Sequence, residues 1–468
     1  MGPMGHATSA VIDSGEGSGQ GSGEAGRIVL VMHTTAYGAE AFIEAARRVG
    51  VGVVIASDRC PILDGAWQWP RDSWVIDFFD VAGAADIIAR HAGDDRNAGS
   101  AAPVRAVLPV GGEVPARVAA LASRRLGLPG NDPDAVAVAA NKLRLRERCA
   151  AARDQGRPLA VPRFLALPFD LAPARVVDRV AAEIGWPCVL KPLLLSASRG
   201  VMRADDPASF CERFARLARM LSRPELLEMD PHDSRLILVE SFVPGPEVAL
   251  DGLLFGEVLH PLALFDKPDP LDGPFFEETI YVTPSRLPPA RQAEIQAAVL
   301  NAARAIGLAS GPVHAELRLG AQGGSGAPVV IDLAARPIGG LCSRTLRFER
   351  EAGEAPLEEL LIRQALGQEV RSLARERAAS GVMMLPIPRA GILRGVGGVD
   401  QARAVPGIQD LVISARPGEA VVPLPEGASY LGFIFARGES PSSVEAALRE
   451  AHACLAVDIA PRLATRAG

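Results

Sequence analysis

The stretch GPVHAELRLGAQGGSGAPVVIDLAARPIGG, residues 311–340, constrains the fold of this chain more than any other. Two segments of alternating apolar and polar residues flank a Gly-rich turn, the pattern of an antiparallel hairpin. With the turn centred on residue 324, Glu316 falls opposite Asp332. Side chains alternate along a strand, so His314, Glu316 and Arg318 share one face with Asp332, Ala334 and Arg336. Like charges directly opposite on a sheet are destabilising. Two facing carboxylates therefore need a reason, and a divalent cation between them supplies one. Magnesium takes one or two carboxylates together with substrate phosphates. The alternatives are that one carboxylate points to solvent, or that Arg318 neutralises the pair.

The rest of the chain reads as α/β (α+β). The apolar runs IVLVM (28–32), VGVVIAS (51–57) and VRAVLPV (104–110) alternate with helical patterns. That alternation indicates a parallel sheet flanked by helices, a Rossmann-like N-terminal domain over 27–135. LPGNDPDA (128–135) breaks this unit and opens a helix expected over 134–152. A second unit, about 153–245, holds a strand in WPCVLKP, a helix over 208–221 and the strand RLILVE. A third, about 246–370, holds paired strands around EVALDGLLFGEVLHPLAL, a helix over 289–307 and the hairpin, making a central antiparallel sheet. A small α+β unit over 371–468 completes the chain and could finish a pocket or form a homodimer contact. SGEGSGQGSGEAG marks residues 1–26 as a disordered tail by composition. No strand precedes its glycines and no GK[ST] follows, so they do not read as a phosphate cradle.

Composition narrows the function class. A net charge of −6 argues against general attraction to nucleic acid or anionic membranes, though a local basic site can still hold an anion. No apolar run approaches the roughly 20 residues that span a bilayer. No secretory signal pattern is visible at the N-terminus. The six cysteines form no CxxC pair and the seven histidines no HExxH, which suits a cytoplasmic enzyme without a thiolate zinc site.

Three further segments carry charged residues that could serve a site. Lys191 ends the apolar strand PCVLK and precedes SASRGV, a loop able to offer backbone N–H groups to a phosphate. Lys142, in NKLRLRER, reads equally as a phosphate grip or as a solvated member of a basic helix. In LILVESFVPGPEVALDG, Glu240 closes an apolar strand, Phe242 and Val243 follow, and Glu247 opens the next strand. A flat base could lie on those apolar side chains while their backbone bonds its edge, with Glu247 accepting from ribose hydroxyls. The plain alternative is an ordinary half-buried sheet with a proline turn.

Together and in this order, these segments resemble the ATP-grasp superfamily in its carboxylate–amine ligase branch, like the L-amino-acid ligases. The resemblance runs from about Val29 to about Gln368 and is strongest over 141–345. It implies that Lys142 and Lys191 hold the ATP phosphates, and that SASRGV is the mobile phosphate loop, through Ser196, Ser198 and Gly200. It implies that Glu240, Phe242 and Val243 bind adenine and that Glu247 binds ribose. Glu316 and Asp332 become metal ligands for Mg2+, or for Mn2+ in its place. Arg336 becomes the arginine that stabilises the acyl phosphate and the tetrahedral species formed from it. Where many members read Glu-Ile-Asn-Pro-Arg, this chain has Asp332-Leu-Ala334-Ala-Arg336, a shorter ligand and a missing asparagine. In FDKPDPLDGPFFEETIYVTPS (265–285), Lys267, Glu277 and Glu278 are candidates for contacting the substrate carboxylate or amine.

The activity so implied is an ADP-forming ligation of a small-molecule carboxylate to an amine through an acyl phosphate, with an amino acid as the favoured substrate. A biotin-carboxylase-like reaction on bicarbonate is one rival, although the chain lacks an MKM biotinylation sequence. A nucleotide-binding protein without catalysis is the other, motivated by Asp332 and Ala334.

Overall fold

The computed structural model describes residues 26–34, 36, 38–58, 72–98, 102–320, 326–350 and 353–462. The expected tail up to residue 25 and the Gly-rich hairpin turn at 321–325 lie outside the described residues.

The first apolar runs pair as expected. Strands β1 (Arg27–Val31), β2 (Gly52–Ser57), β3 (Ser73–Val75) and β4 (Val104–Pro109) form a parallel sheet in the order β3-β2-β1-β4. All five residues of β1 are buried, as a central parallel strand covered on both faces must be. The single helix expected over 134–152 is two, Pro133–Ala139 and Lys142–Asp154. Asn141 is the cause. Its backbone is extended and its side chain accepts from the amides of Leu143 and Arg144, so it caps a new helix with Lys142 at the first position.

Strands β5 (Phe164–Pro168), β6 (Cys188–Pro192), β7 (Met202–Ala204) and β8 (Leu236–Ser241) form an antiparallel sheet, ordered β5-β8-β6-β7. The helix Pro207–Leu221 covers it through Phe210, Phe214, Leu217 and Leu221, buried at the spacing of one helical face. This sheet and helix correspond to the second unit expected over about 153–245, which is called the lid after the subdomain that the resemblance implies.

Among the described residues, the largest sheet has eight strands. Its members are β9 (Glu247–Phe255), β10 (Val258–Lys267), β11 (Ile280–Thr283), β12 (Ser310–Arg318) and β13 (Val329–Ala334), and three from beyond residue 371. After the short hairpin β14 (Arg347–Arg350) and β15 (Gly353–Pro356) come β16 (Ala379–Leu385), β17 (Gly391–Gly397), β18 (Ile408–Ile413), β19 (Ala420–Val421), β20 (Gly432–Gly438) and β21 (Ala456–Ala460). The order of the large sheet is β13-β12-β9-β10-β11-β16-β20-β18, and β19-β17-β21 stand apart. Strands on both sides of residue 371 thus share one sheet, joined where β11 pairs antiparallel with β16. One apolar cluster runs from Phe42 of the N-terminal domain through Leu253, Phe265 and Leu361 to Met384 and Phe433. That cluster ties three parts of the chain around a single centre.

Candidate active site

A cavity of about 390 Å3 lies where the lid, the large sheet and the N-terminal domain meet. Of the residues singled out from the sequence, it is lined by Lys142, Lys191, Ser196, Ser198, Glu240, Phe242, Val243, Glu247, Glu278, Glu316, Asp332 and Arg336.

At the lid end, positive charge is in excess. The Lys191 ammonium lies 2.6 Å from Glu240, and the buried Arg146 guanidinium lies 2.6 Å from the other oxygen of the same carboxylate. The Lys142 ammonium lies 3.1 Å from Asp332 and donates to the Leu195 carbonyl at 2.9 Å. Three cations therefore share two carboxylates. Burial pulls Lys191 below the usual lysine range against the opposing charge of Glu240. Burial also works against ionisation of Glu240, yet Arg146 and Lys191 together hold its carboxyl below the usual range. A cluster with this surplus suits an anionic ligand such as a phosphate chain.

Beside it, the loop 196–201 is held in a strained shape. Ala197 and Ser198 both have φ of 54°, left-handed values that cost L-residues energy and collect at functional sites. Gly200 follows at φ 77°, where a Cβ would also lie 3.1 Å from Leu217 and from Pro192. This one position in the loop requires glycine.

The adenine expectation needs revision in detail. The Phe242 amide donates to the Pro187 carbonyl, so it is not free to bond a base edge. The guanidinium groups of Arg203 and Arg318 lie 4.3 and 4.9 Å from the Phe242 ring centroid, so its face is in use as well. Val189, Val201 and Phe276 remain as apolar walls at this end.

The facing carboxylates are in place. Glu316 pairs with Asp332 and His314 with Ala334, after which the register shifts so that Arg318 faces Val329. Arg318 does not neutralise the pair. It bonds the carbonyls of Leu271 and Gly245 and lies 3.4 Å from Glu247. The compensating charges are Lys142 on Asp332 and Lys267 on Glu316 at 3.0 Å. Burial opposes ionisation of both acids, but Lys267 holds Glu316 well below the usual range and Lys142 holds Asp332 below it.

Lys267 was expected to meet a substrate carboxylate; it does not line the cavity. Its side chain is 3% exposed and is bonded by Glu247 at 2.6 Å, Glu278 at 3.1 Å and Glu316 at 3.0 Å. The strand pairing places it opposite Glu247. Burial and the Glu316 charge push Glu278 up to about 7, and the Tyr281 hydroxyl bonds it at 3.0 Å. Glu277 lies off the cavity wall. Glu247, Glu278 and Glu316 each present an oxygen within 4.8 Å of the others. A set of carboxylate oxygens in excess of its one ammonium fits a hard divalent cation such as Mg2+ or Mn2+.

Arg336 is held from the opposite wall. Its Nε and Nη2 donate to one oxygen of Glu113 at 3.0 and 2.7 Å, although the residues are 223 apart in sequence. Glu113 opens the helix Glu113–Leu126 directly after Gly111 and Gly112, at φ 68° and 71°. That double-glycine turn after β4 points the acid at the arginine. Behind Arg336, Asp251 accepts from the Ile338 amide at 3.0 Å and lies 3.3 Å from His314 Nδ1. Burial lowers the His314 pKa, but Asp251 outweighs it and raises His314 to about 9. The far end of the cavity is apolar, with Phe42, Val110, Leu361, Met384 and Phe433.

Sequence reasoning missed Arg146, Glu113 and Asp251. Only Arg146 had a local signal, its i,i+4 spacing from Lys142 on one helix face.

Residues 184–345 match the family described as ATP-grasp domain, and residues 383–460 that described as L-amino acid ligase C-terminal domain 2. Carnosine synthase 1 of Gallus gallus is 29% identical over 279 residues, 59% of this chain and 29% of that protein. D-alanine--D-alanine ligase of Aromatoleum aromaticum is 28% identical over 183 residues, 38% of this chain and 52% of that protein. An uncharacterized protein of Sinorhizobium fredii is 29% identical over 72% of this chain and 65% of its own length, so the chain spans less than two thirds of each of these relatives. Among solved structures, L-amino acid ligase from Bacillus licheniformis superposes with a TM-score of 0.76 at 22% identity, covering 94% of this chain and all of that one. The biotin carboxylase domain of Hydrogenobacter thermophilus 2-oxoglutarate carboxylase gives 0.61 at 16% identity, covering 92% and 90%. At these identities the likeness shows the fold, and the two family matches agree with it. The chain thus contains an ATP-grasp domain over residues 184–345 and a C-terminal domain of the L-amino acid ligase kind over residues 383–460.

Proposed function

We propose that the protein is an ADP-forming carboxylate–amine ligase and that an amino acid is among its substrates. The observation that carries this reading is the division of one cavity into three chemical zones. Surplus cations lie under a strained loop, clustered carboxylates follow, and an arginine faces an apolar end.

In this reading Lys142 and Lys191 hold the β- and γ-phosphates of ATP, while Ser196, Ser198 and Gly200 close over them. Lys142 must turn from Asp332 toward the phosphates, which frees that carboxylate. Glu316 and Asp332, with Glu278 beside them, hold Mg2+ or Mn2+, and the bound cation supplies charge neutralisation for the phosphates. A substrate carboxylate oxygen attacks the γ-phosphorus. The new O–P bond forms as the bond to the β-phosphate oxygen breaks, giving an acyl phosphate and ADP. The amine lone pair then attacks the acyl carbon. Arg336, aimed by Glu113, stabilises the oxyanion until inorganic phosphate leaves with the C–O bond electrons and the amine loses its proton. The apolar end receives the substrate side chain. The likeness of residues 383–460 to an L-amino acid ligase domain supports the choice of an amino acid.

The test is phosphate release from ATP and Mg2+ with pools of amino acids, with ADP and AMP resolved. Release that depends on an amino-acid pair supports the proposal. Release that depends on bicarbonate alone would replace it with a carboxylase, and ATP binding without any release would leave a binding protein.

A further inference from the structure

Among the described residues, the C-terminal unit bonds the lid at the loop 196–201 and at the helix that follows it. The Gly200 amide donates to the Pro425 carbonyl at 2.9 Å. Arg199 Nε donates to the Glu426 carbonyl at 3.3 Å. Arg216, on the lid helix Pro207–Leu221, makes a two-pronged bond with the Glu426 carboxylate at 2.6 and 2.8 Å. The lid also rests on the segment before β11. There the Arg203 amide donates to Pro274 and the Arg216 guanidinium lies 4.9 Å from the Phe275 ring centroid.

The same C-terminal segment reaches the cavity. Ala428, Ser429 and Tyr430 line its wall, two to four residues beyond Glu426. Tyr430 packs edge-on against Phe433 at 6.2 Å, and Phe433 belongs to β20 of the large sheet. One short stretch thus connects the sheet, the substrate end of the cavity and the strained loop expected to close on phosphates.

We propose that Glu426 is a positioning residue, a clasp by which the C-terminal unit holds the lid and orders the phosphate loop through Arg216 and the Pro425–Gly200 hydrogen bond. The function of the clasp in nucleotide binding rests on the reading of 196–201 as a phosphate loop. The clasp itself does not. Arg–carboxylate bonds of this two-pronged form are the strong kind, and both groups are only partly exposed, 30% and 23%. An ordered loop binds its ligand without first losing conformational freedom, so breaking the clasp should weaken nucleotide binding rather than chemistry.

The experiment uses amide hydrogen exchange on the full chain without nucleotide, comparing the parent with Glu426→Ala, Arg216→Ala and the double variant. Exchange across 196–201 should rise roughly 5- to 10-fold in each variant, with the double variant no faster than the singles. The apolar core of the large sheet should keep its protection, which separates loss of the clasp from general unfolding. In parallel, the KM for ATP should rise by a similar factor while kcat holds. Unchanged exchange at 196–201 in Glu426→Ala would overturn the proposal, as would additive effects of the two single variants. If the parent binds no ATP, the phosphate-loop reading falls and the exchange result alone decides the clasp.

Discussion

Replacing Lys267 by Met tests the carboxylate cluster most severely. The change keeps the length of the side chain and deletes an ammonium 2.6, 3.1 and 3.0 Å from Glu247, Glu278 and Glu316. Removing one partner of a buried ion pair typically costs about 3–5 kcal/mol, because the remaining charge is left unsolvated. Here three acids are left together, and protonation offers one relief. Glu278 already titrates near 7 with the lysine present and will rise further without it. A carboxyl whose folded pKa lies above its unfolded value makes the folded state bind more protons, so stability falls as pH rises. The deficit should therefore be smallest near pH 5 and largest above pH 7. The parent should show the same sign of slope in weaker form, because Glu278 is raised to about 7 there as well while Lys267 stays charged throughout that window.

A divalent cation offers the other relief. If the cluster is a metal site, millimolar Mg2+ or Mn2+ should restore much of the loss, since binding to the folded state alone stabilises by mass action. The assay is thermal unfolding at pH 6 and pH 8, with and without the cation. The expected fall is on the order of 5–10 °C at pH 8, smaller at pH 6, and largely reversed by metal. An unfolding temperature equal to the parent's at both pH values, with no metal response, would refute the electrostatic account of this cluster.

Other outcomes follow from the same geometry. Arg336→Ala should lower kcat by about 10²–10³ with ATP affinity unchanged, read by steady-state kinetics and calorimetry; equal loss of both would sink its assignment. Glu113→Gln keeps the shape but weakens the hold on Arg336, and should lower kcat roughly 10-fold without altering the KM for ATP. Glu240→Ala leaves Lys191 and Arg146 buried without their carboxylate, and should cost about 3–5 kcal/mol in denaturant unfolding as well as nucleotide affinity. His314, raised from 6.5 to about 9, contributes stability that is fully present below pH 6.5 and is lost as pH rises through 9. In His314→Gln that slope, on the order of 3 kcal/mol in total, should be absent from unfolding measured across the window.

What could be read in the sequence was what local periodicity determines. The Glu316–Asp332 pairing follows from the symmetry of a turn, and it survives even though the register shifts one residue later. The end of the first parallel sheet and the lid helix follow from apolar runs and spacing. What escaped depends on residues far apart. Nothing near Lys267 says that Glu247 will face it across a strand pair and that Glu316 will converge on the same ammonium. Nothing near Arg336 says that the acid after a double glycine, 223 residues earlier, will hold it. The junction of β11 with β16 is equally silent, because the edge a strand pairs with is set by the packing of the whole sheet rather than by its own pattern.

The most direct test of the acyl-phosphate chemistry is isotope transfer. A substrate amino acid labelled with heavy oxygen in its carboxylate is turned over with ATP, and the released inorganic phosphate is examined by phosphorus NMR. The account predicts one labelled oxygen in the phosphate, because the carboxylate oxygen that attacks the γ-phosphorus leaves with it. Unlabelled phosphate, or label recovered in AMP with pyrophosphate as the other product, would contradict it.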